Sequence, residues 1–466
     1  MARNTQVAAD HNAPAVTQIL AQFVATHPGF EAGGWNATVD HEAHRTFMNW
    51  LGCAVGATHH EAADAALAAV AMLQPAAQAS VLGRSENVDM ASAALVNGIT
   101  SHTFDFDDTH LKTIIHPAGP VASAVLALAE HMGNTGREVI DALVIGIDVS
   151  CRIGNAMYPD HYDRGWHITG STGTLGAAAA CARLLKLDVQ QTAMALGIAA
   201  SQPVGMREQF GTMTKPFHPG AAARAGLMSA LLASKGFTAS PKALEAPRGM
   251  MQTVSLKNDW SEITTELGQR FEISFNSYKP FACGIVIHPS IDACAQLRAQ
   301  FEKDGVTLDQ VQSIELRVHS LVLELTGKKE PVDGLQAKFS VYHGCAAGLT
   351  FGFAAEDEFS DAVVNRPDMV ALRRKVVATV DDSIDEASAD VTAVLADGRR
   401  VHVFVEHAIG SLKNPMTDTQ LEAKFQGMCD QVLGAGRTSE LINACWAIGK
   451  SASLAEVVAL AAPERL

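Results

Sequence analysis

The chain has 466 residues, with 35 Lys and Arg against 50 Asp and Glu and a formal net charge of −15. So acidic a surface repels phosphate backbones and anionic lipid, which argues against nucleic acid and membrane surfaces as partners. Hydrophobic residues make up 48% and aromatic residues 6%; that supplies large cores, excludes general disorder and favours closely packed helices over an aromatic-rich sandwich.

The first 22 residues carry Arg3, Asp10 and His11 and lack the apolar core of a secretory leader. The longer uncharged stretches, 65–83 and 189–206, are interrupted by Gln and Pro, so no membrane span is expected. From Val16 to Gly236 apolar residues recur every three or four positions, in segments such as Glu61 to Leu73, Ala91 to His102, Val121 to His131, Arg137 to Ile153, Gly173 to Leu187 and Ala221 to Lys235. Gly133, Pro203 and Gly236 read as stops.

Between Phe271 and Glu406 the pattern changes. Val311 to Leu325 largely alternates, and Asp390 to Val405 forms two alternating runs around Asp397-Gly398, a hairpin signal. Helical patterns at Val341 to Phe351 and Met369 to Lys375 make this region a smaller α+β unit. The helical period then returns in Thr419 to Leu433, Thr438 to Ile448 and Leu454 to Ala461, with capping boxes expected at Thr419/Glu422 and Ser453/Glu456. The resulting fold class is mainly α: a large helical domain of residues 1–270 and 407–466, with an α+β lid of 271–406 inserted.

The eight cysteines (53, 151, 181, 283, 294, 345, 429, 445) form no CxxC. They read as free thiols in a reducing compartment, and a cytoplasmic location is expected. The densest polar cluster runs from His102 through Asp105, Asp107, Asp108 and Thr109 to His110, followed by His116-Pro117. Three carboxylates in four positions repel one another and require cations, hydrogen bonds or a metal, although no HExxH or EF-hand spacing is present; the alternative is a solvated helix-to-loop junction. A second cluster, Gly165-Trp-His167-Ile-Thr-Gly170-Ser-Thr-Gly173-Thr-Leu-Gly176, opens a helix with glycines that either admit an anion or allow close helix packing. Lys215-Pro-Phe-His218 and Tyr278-Lys279-Pro280 place lysines ahead of proline, in extended or turn backbone. Tyr342, in Phe339-Ser-Val-Tyr342, is a further proton-donor candidate or a core tyrosine.

Taken in order, Asp105-Phe-Asp-Asp-Thr109 with His116-Pro, the His167 segment, Lys215 with His218, Lys279-Pro and Phe339-Ser-x-Tyr342 resemble the MmgE/PrpD family over nearly the whole chain. The resemblance implies a homodimer and a cleft between the two domains, lined by Asp105, Thr109, His116, His167, Lys215, Lys279 and Tyr342. It implies no cofactor, and no metal is expected, since no cysteine framework or His/carboxylate motif has metal-ligand spacing. The activity it implies is a lyase acting on a small di- or tricarboxylate by proton abstraction beside a carboxylate. Lys215 and Lys279 would stabilise the developing charge, His116 and His167 would serve as acid and base, Tyr342 would donate a proton, and Asp105, Thr109 and His218 would bind or orient. Dehydration of a 2-methylcitrate-like hydroxy acid is the leading expectation, with decarboxylation of a cis-aconitate-like acid and epimerisation of an iminodisuccinate-like acid as alternatives. A carboxylate-binding protein without turnover is the non-enzymatic alternative. Some relatives carry an arginine near the position of Gly284, which this chain lacks.

Overall fold

The structure, a computed structural model, describes residues 13–464. The expectation of no secretory leader in residues 1–22 therefore falls partly outside the described residues. The protein is mainly α, with a small α+β portion.

The body is built around one helix, Ile168–Leu184, in which every residue except Arg183 is buried. Helices Ala118–Met132, Gly136–Met157 and Thr214–Ser234 pack around it, and Met90–Thr103 packs on two of these. Local chemistry fixes their ends. The Asp89 carboxylate accepts from the amides of Ala91 and Ser92, Thr135 and Glu138 form a capping box, and Gly133 closes its helix at φ 71°. Small residues set the spacing. A Cβ on Gly176 would lie 2.7 Å from the Gly146 carbonyl oxygen, and one on Gly98 would lie 2.5 Å from the Gly220 Cα, so both crossings are backbone on backbone. Close packing thus accounts for Gly173 and Gly176, the first of which would drive a Cβ to 2.4 Å from Pro120.

Two helices begin earlier than their periodicity suggests, Ile168 rather than Gly173 and Thr214 rather than Ala221. Lys215 consequently lies in a helical first turn, not in the extended backbone expected before proline. Pro216 is tolerated there because first-turn amides have no intrahelical partner. The helix Val189–Ala199 ends before Pro203 is reached.

The α+β portion carries a four-stranded sheet in the order Val376–Val380, Val311–Val318, Ala389–Leu395, Arg400–Val405, the first pair parallel and the others antiparallel. Ile314, Leu316 and Val318 alternate inward after a register shift at Val311/Ser313, and helices His288–Asp304 and Val341–Phe351 pack on the neighbouring strands of the sheet. Gly398, at φ 88°, turns the hairpin expected at Asp397-Gly398. The alternating run from Val311 does not reach Leu325: it stops at Val318, where His319 caps a short helix, Ser320–Thr326, by accepting from the Leu321 amide.

Helices Asp418–Leu433 and Ala435–Ala447 return to Ala37–Gly56, with Phe425 seated against Gly52 and Arg45 paired with Asp418 at 2.6 Å. The first of them is capped by Thr417 with Gln420, not by Thr419 with Glu422, because Thr419 is already inside the helix. Ser453 accepts weakly from Ala455 and forms no box with Glu456. All eight cysteines are buried and free. No helix among the described residues is long and apolar enough to cross a membrane.

Candidate active site

The candidate site is assembled where the Met90–Thr103 helix ends. His102 occupies its last turn, Phe104 closes it, and Asp105 follows at φ 51°, a left-handed conformation that Asp tolerates better than most side chains. That reversal directs the Asp105 carboxylate inward. Residues Asp108–His110 then form a short strand antiparallel to Asn276–Tyr278, with Asp108 opposite Tyr278. The ladder brings the next residue, Lys279, alongside Asp105.

Lys279 donates from Nζ to the Asp105 Oδ1 at 2.6 Å and to the Asp105 carbonyl at 3.0 Å. Lys215, from the first turn of its helix, approaches the same Oδ1 at 3.1 Å. One carboxylate oxygen therefore gathers two ammonium groups, all three side chains being buried. Burial opposes ionisation of Asp105, but the Lys215 and Lys279 charges overcome it and hold the carboxyl well below its usual range. Burial lowers Lys215, partly offset by Asp105. The Lys215 ammonium also lies 5.3 Å and 5.1 Å from the ring centroids of Phe210 and Phe339, which stack on each other.

Four imidazoles adjoin this group. His116 donates from Nδ1 to the Asp108 carbonyl at 2.8 Å, with the Thr109 hydroxyl 3.3 Å from the same nitrogen, so its Nε2 carries the lone pair. His102 donates from Nδ1 to Asp107 Oδ2 at 2.7 Å, and Asp107 Oδ1 lies 3.5 Å from His116 Nδ1. His167, at the N-cap of Ile168–Leu184, meets His218 through their Nδ1 atoms at 2.9 Å. Burial lowers His116 and His167 well below the usual imidazole range, with Lys279 and Lys215 respectively adding to the effect, and brings His218 to about 4. These shifts favour the neutral imidazole at His116, His167 and His218. Burial and the Asp107 charge push Asp108 up to about 7, although Asn276 donates to it at 2.7 Å.

Asp105, His116, His167, Lys215 and Lys279 line a cavity of about 30 Å³, walled by Phe210, Phe339 and Tyr162. Thr109 and His218 sit behind it, bonded to His116 and His167. Tyr342 is buried near the start of its helix but does not line the cavity; Lys329 lies over its ring. Phe339, which precedes the N-cap Ser340 of that helix, lines the cavity where the motif's tyrosine does not.

Sequence reasoning assigned no role to His102 and Asp107 beyond membership of the acidic cluster. Their spacing across a helix end is a local signal for pairing. Tyr162, Phe210 and Phe339 carry no comparable signal. His102, Asp107 and His116 offer possible metal-ligand atoms within 4.8 Å of one another. The nitrogens facing Asp107 are already hydrogen-bond donors, however, so this arrangement fits imidazoles oriented by a carboxylate better than a metal centre.

Residues 18–263 match the MmgE/PrpD N-terminal domain and residues 281–448 the MmgE/PrpD C-terminal domain. The chain is 26% identical over 454 residues to a cis-aconitate decarboxylase-like protein of Aspergillus oryzae, covering 92% of this chain and 94% of that one. It is 27% identical to the cis-aconitate decarboxylase of Homo sapiens over 374 residues, 75% of each chain. It is 23% identical to the 2-methylcitrate dehydratase of Salmonella typhimurium over 399 residues, 79% of this chain and 81% of that one. Two domain matches that together span most of the sequence, on the fold and buried polar cluster described above, make this chain a member of the MmgE/PrpD family.

Proposed function

We propose that the protein is a cofactor-independent lyase acting on a small polycarboxylate, with decarboxylation of a cis-aconitate-type acid as the favoured reaction. The observation that carries this reading is the Asp105 carboxylate holding Lys215 and Lys279 beside two neutral, buried histidines. Loss of carbon dioxide from a carboxylate one carbon removed from a double bond breaks a C–C bond. The electron pair passes through the double bond toward a second carboxylate. Two fixed ammoniums stabilise that charge, and they require no reorganisation when it forms. An imidazole then delivers a proton to carbon. His116 suits this role when its Nε2 takes a proton from solvent in the open site, since Asp107 lies 3.5 Å from its Nδ1 to support the imidazolium until the proton passes to carbon. His167, with His218 behind it, is the alternative donor.

Dehydration of a 2-methylcitrate-like acid is the second reading, supported by the similarity to 2-methylcitrate dehydratase. It needs an acid for the departing hydroxyl where decarboxylation needs one for the carbanion, and the imidazoles lining the cavity can serve in either. Decarboxylation is favoured because the cis-aconitate decarboxylases match more of this chain's residues identically.

A cavity of about 30 Å³ holds water, not a polycarboxylate. Substrate access therefore requires the lid to move away from the body, and reclosure would exclude solvent. The test is incubation of purified protein with cis-aconitate, 2-methylcitrate, citrate and iminodisuccinate in D₂O, followed by NMR and carbon dioxide release. The favoured reading expects carbon dioxide and one carbon-bound deuterium from cis-aconitate. A new double bond from 2-methylcitrate without carbon dioxide would favour the second reading, and no change in any substrate would reject both.

A further inference from the structure

The inner cavity leaves one demand of a polycarboxylate unmet. Its two lining cations, Lys215 and Lys279, both contact Asp105, and its lid-side wall of Gly284, Ile285, Val286 and Leu325 is uncharged. A second or third carboxylate must find its partner farther out. The inner cavity shares Phe210, Leu325 and Phe339 with a larger outer cavity of about 760 Å³, on whose wall stands Arg207.

Arg207 is held as a recognition arginine is held. Its guanidinium lies 4.0 Å from the centroid of the Tyr162 ring, which also walls the inner cavity, and Nη1 donates to the Tyr162 carbonyl at 3.1 Å. Nη2 donates to Glu324 Oε1 at 2.7 Å. The two partners of that ion pair differ sharply: the Arg207 side chain is 16% exposed and Glu324, on the lid, is 58% exposed. A fixed guanidinium is thus covered by a carboxylate on a flexible, solvated stem. Stacking and the carbonyl contact orient the fork before any ligand arrives, which spares the ordering cost of binding.

We propose that Arg207 is the seat of the substrate's outer carboxylate, and that Glu324 occupies this seat in the free protein. The proposal rests on the polycarboxylate reading given above. An incoming carboxylate replaces Glu324 on Nη2, which frees the lid helix Ser320–Thr326 from the body at that point. Glu324 is then both a stand-in and a filter, since a ligand with a single carboxylate gains nothing by displacing it.

Isothermal titration with tricarballylate, a tricarboxylate lacking a double bond or hydroxyl to react, tests this against butyrate. Arg207→Met should weaken tricarballylate binding by at least about tenfold, as expected for one lost charge-assisted hydrogen bond, and should erase the same factor from its preference over butyrate. Glu324→Gln should tighten tricarballylate binding, because the competitor is gone. If Arg207→Met loses its thermal transition, Glu324→Gln and the charge-retaining Arg207→Lys decide the matter: tightening in the first and an intermediate loss in the second support the seat. Unchanged binding in Arg207→Met, or equal weakening in Glu324→Gln, overturns it and leaves an ordinary surface ion pair. Wild-type protein that binds neither tricarballylate nor any of the four candidate substrates would instead overturn the polycarboxylate reading, and this proposal with it.

Discussion

The Asp105 carboxylate lies 2.6 Å from the ammonium of Lys279, two residues before the second matched domain begins, and it does so from a left-handed backbone at φ 51°. Conformation and charge are therefore separable at this position. Asp105→Asn keeps a side chain that tolerates the left-handed region but leaves two buried ammoniums without their carboxylate, so turnover should fall by at least about a hundredfold and the melting temperature should fall with it. Asp105→Val should destabilise the fold further, by about 1–3 kcal/mol, because a β-branched residue is strained there. Thermal melts and steady-state rates on the same two variants check both halves.

The helix crossings predict the opposite separation. Replacing glycine by alanine inside a helix ordinarily gains up to about 1 kcal/mol. At Gly176 the new Cβ would sit 2.7 Å from the Gly146 carbonyl, a backbone atom that cannot turn aside. Overpacking should win, with a net loss of about 1–3 kcal/mol visible as a lower melting temperature. An unchanged or raised melting temperature for Gly176→Ala would contradict this packing account.

Asp108 supplies a test in pH. Burial and the neighbouring Asp107 raise its folded value to about 7, against an ordinary 3.8. The native state thus keeps its proton where the unfolded chain releases it. The stability from this group is complete below about 3.8 and is lost as pH rises through about 7. Asp108→Asn mimics the protonated form, so its melting temperature should improve relative to wild type between pH 5 and pH 8. A difference that stays flat with pH would show that Asp108 is ionised throughout.

Activity should survive exhaustive dialysis against a chelator, because the imidazole nitrogens facing Asp107 are donors rather than ligands. Elemental analysis accompanies the assay. Stoichiometric metal whose removal abolishes turnover would reverse the assignment of His102, Asp107 and His116 as a hydrogen-bonded group.

What the sequence made legible was mostly local. The Asp397-Gly398 turn, the Gly133 stop and the Ala-rich helical body each depend on residues adjacent in the chain, and each forms as expected. Where the expectation slipped, two local signals competed. Thr417 and Thr419 both precede polar residues at capping distance, and only the three-dimensional start of the helix chooses between them. Likewise the alternation after Val311 continues on paper past His319, although a helix cap there ends the strand. The acidic cluster was conspicuous, but its meaning was not: Lys215 and Lys279 lie far along the chain, and only the Gly98–Gly220 crossing and the Asp108–Tyr278 pairing bring both to one oxygen of Asp105. Tyr342 shows the reverse case, a residue carried by a motif whose neighbour Phe339 is the one at the cavity.

The central claim is that the Asp105-bound lysines are the charge-stabilising core of a lyase, and turnover of Lys279→Ala measures it most directly. Lys279 is buried against Asp105, so a bland structural role and a catalytic one diverge only in kinetics. On whichever of the four candidate substrates the wild type converts, the account predicts a loss of at least about a hundredfold in a variant that still melts cooperatively. The His167→Ala, Lys279→Ala double variant should then lose far less than the product of the two single losses, because residues acting on one transition state are not additive. Full activity in a folded Lys279→Ala protein would contradict the account.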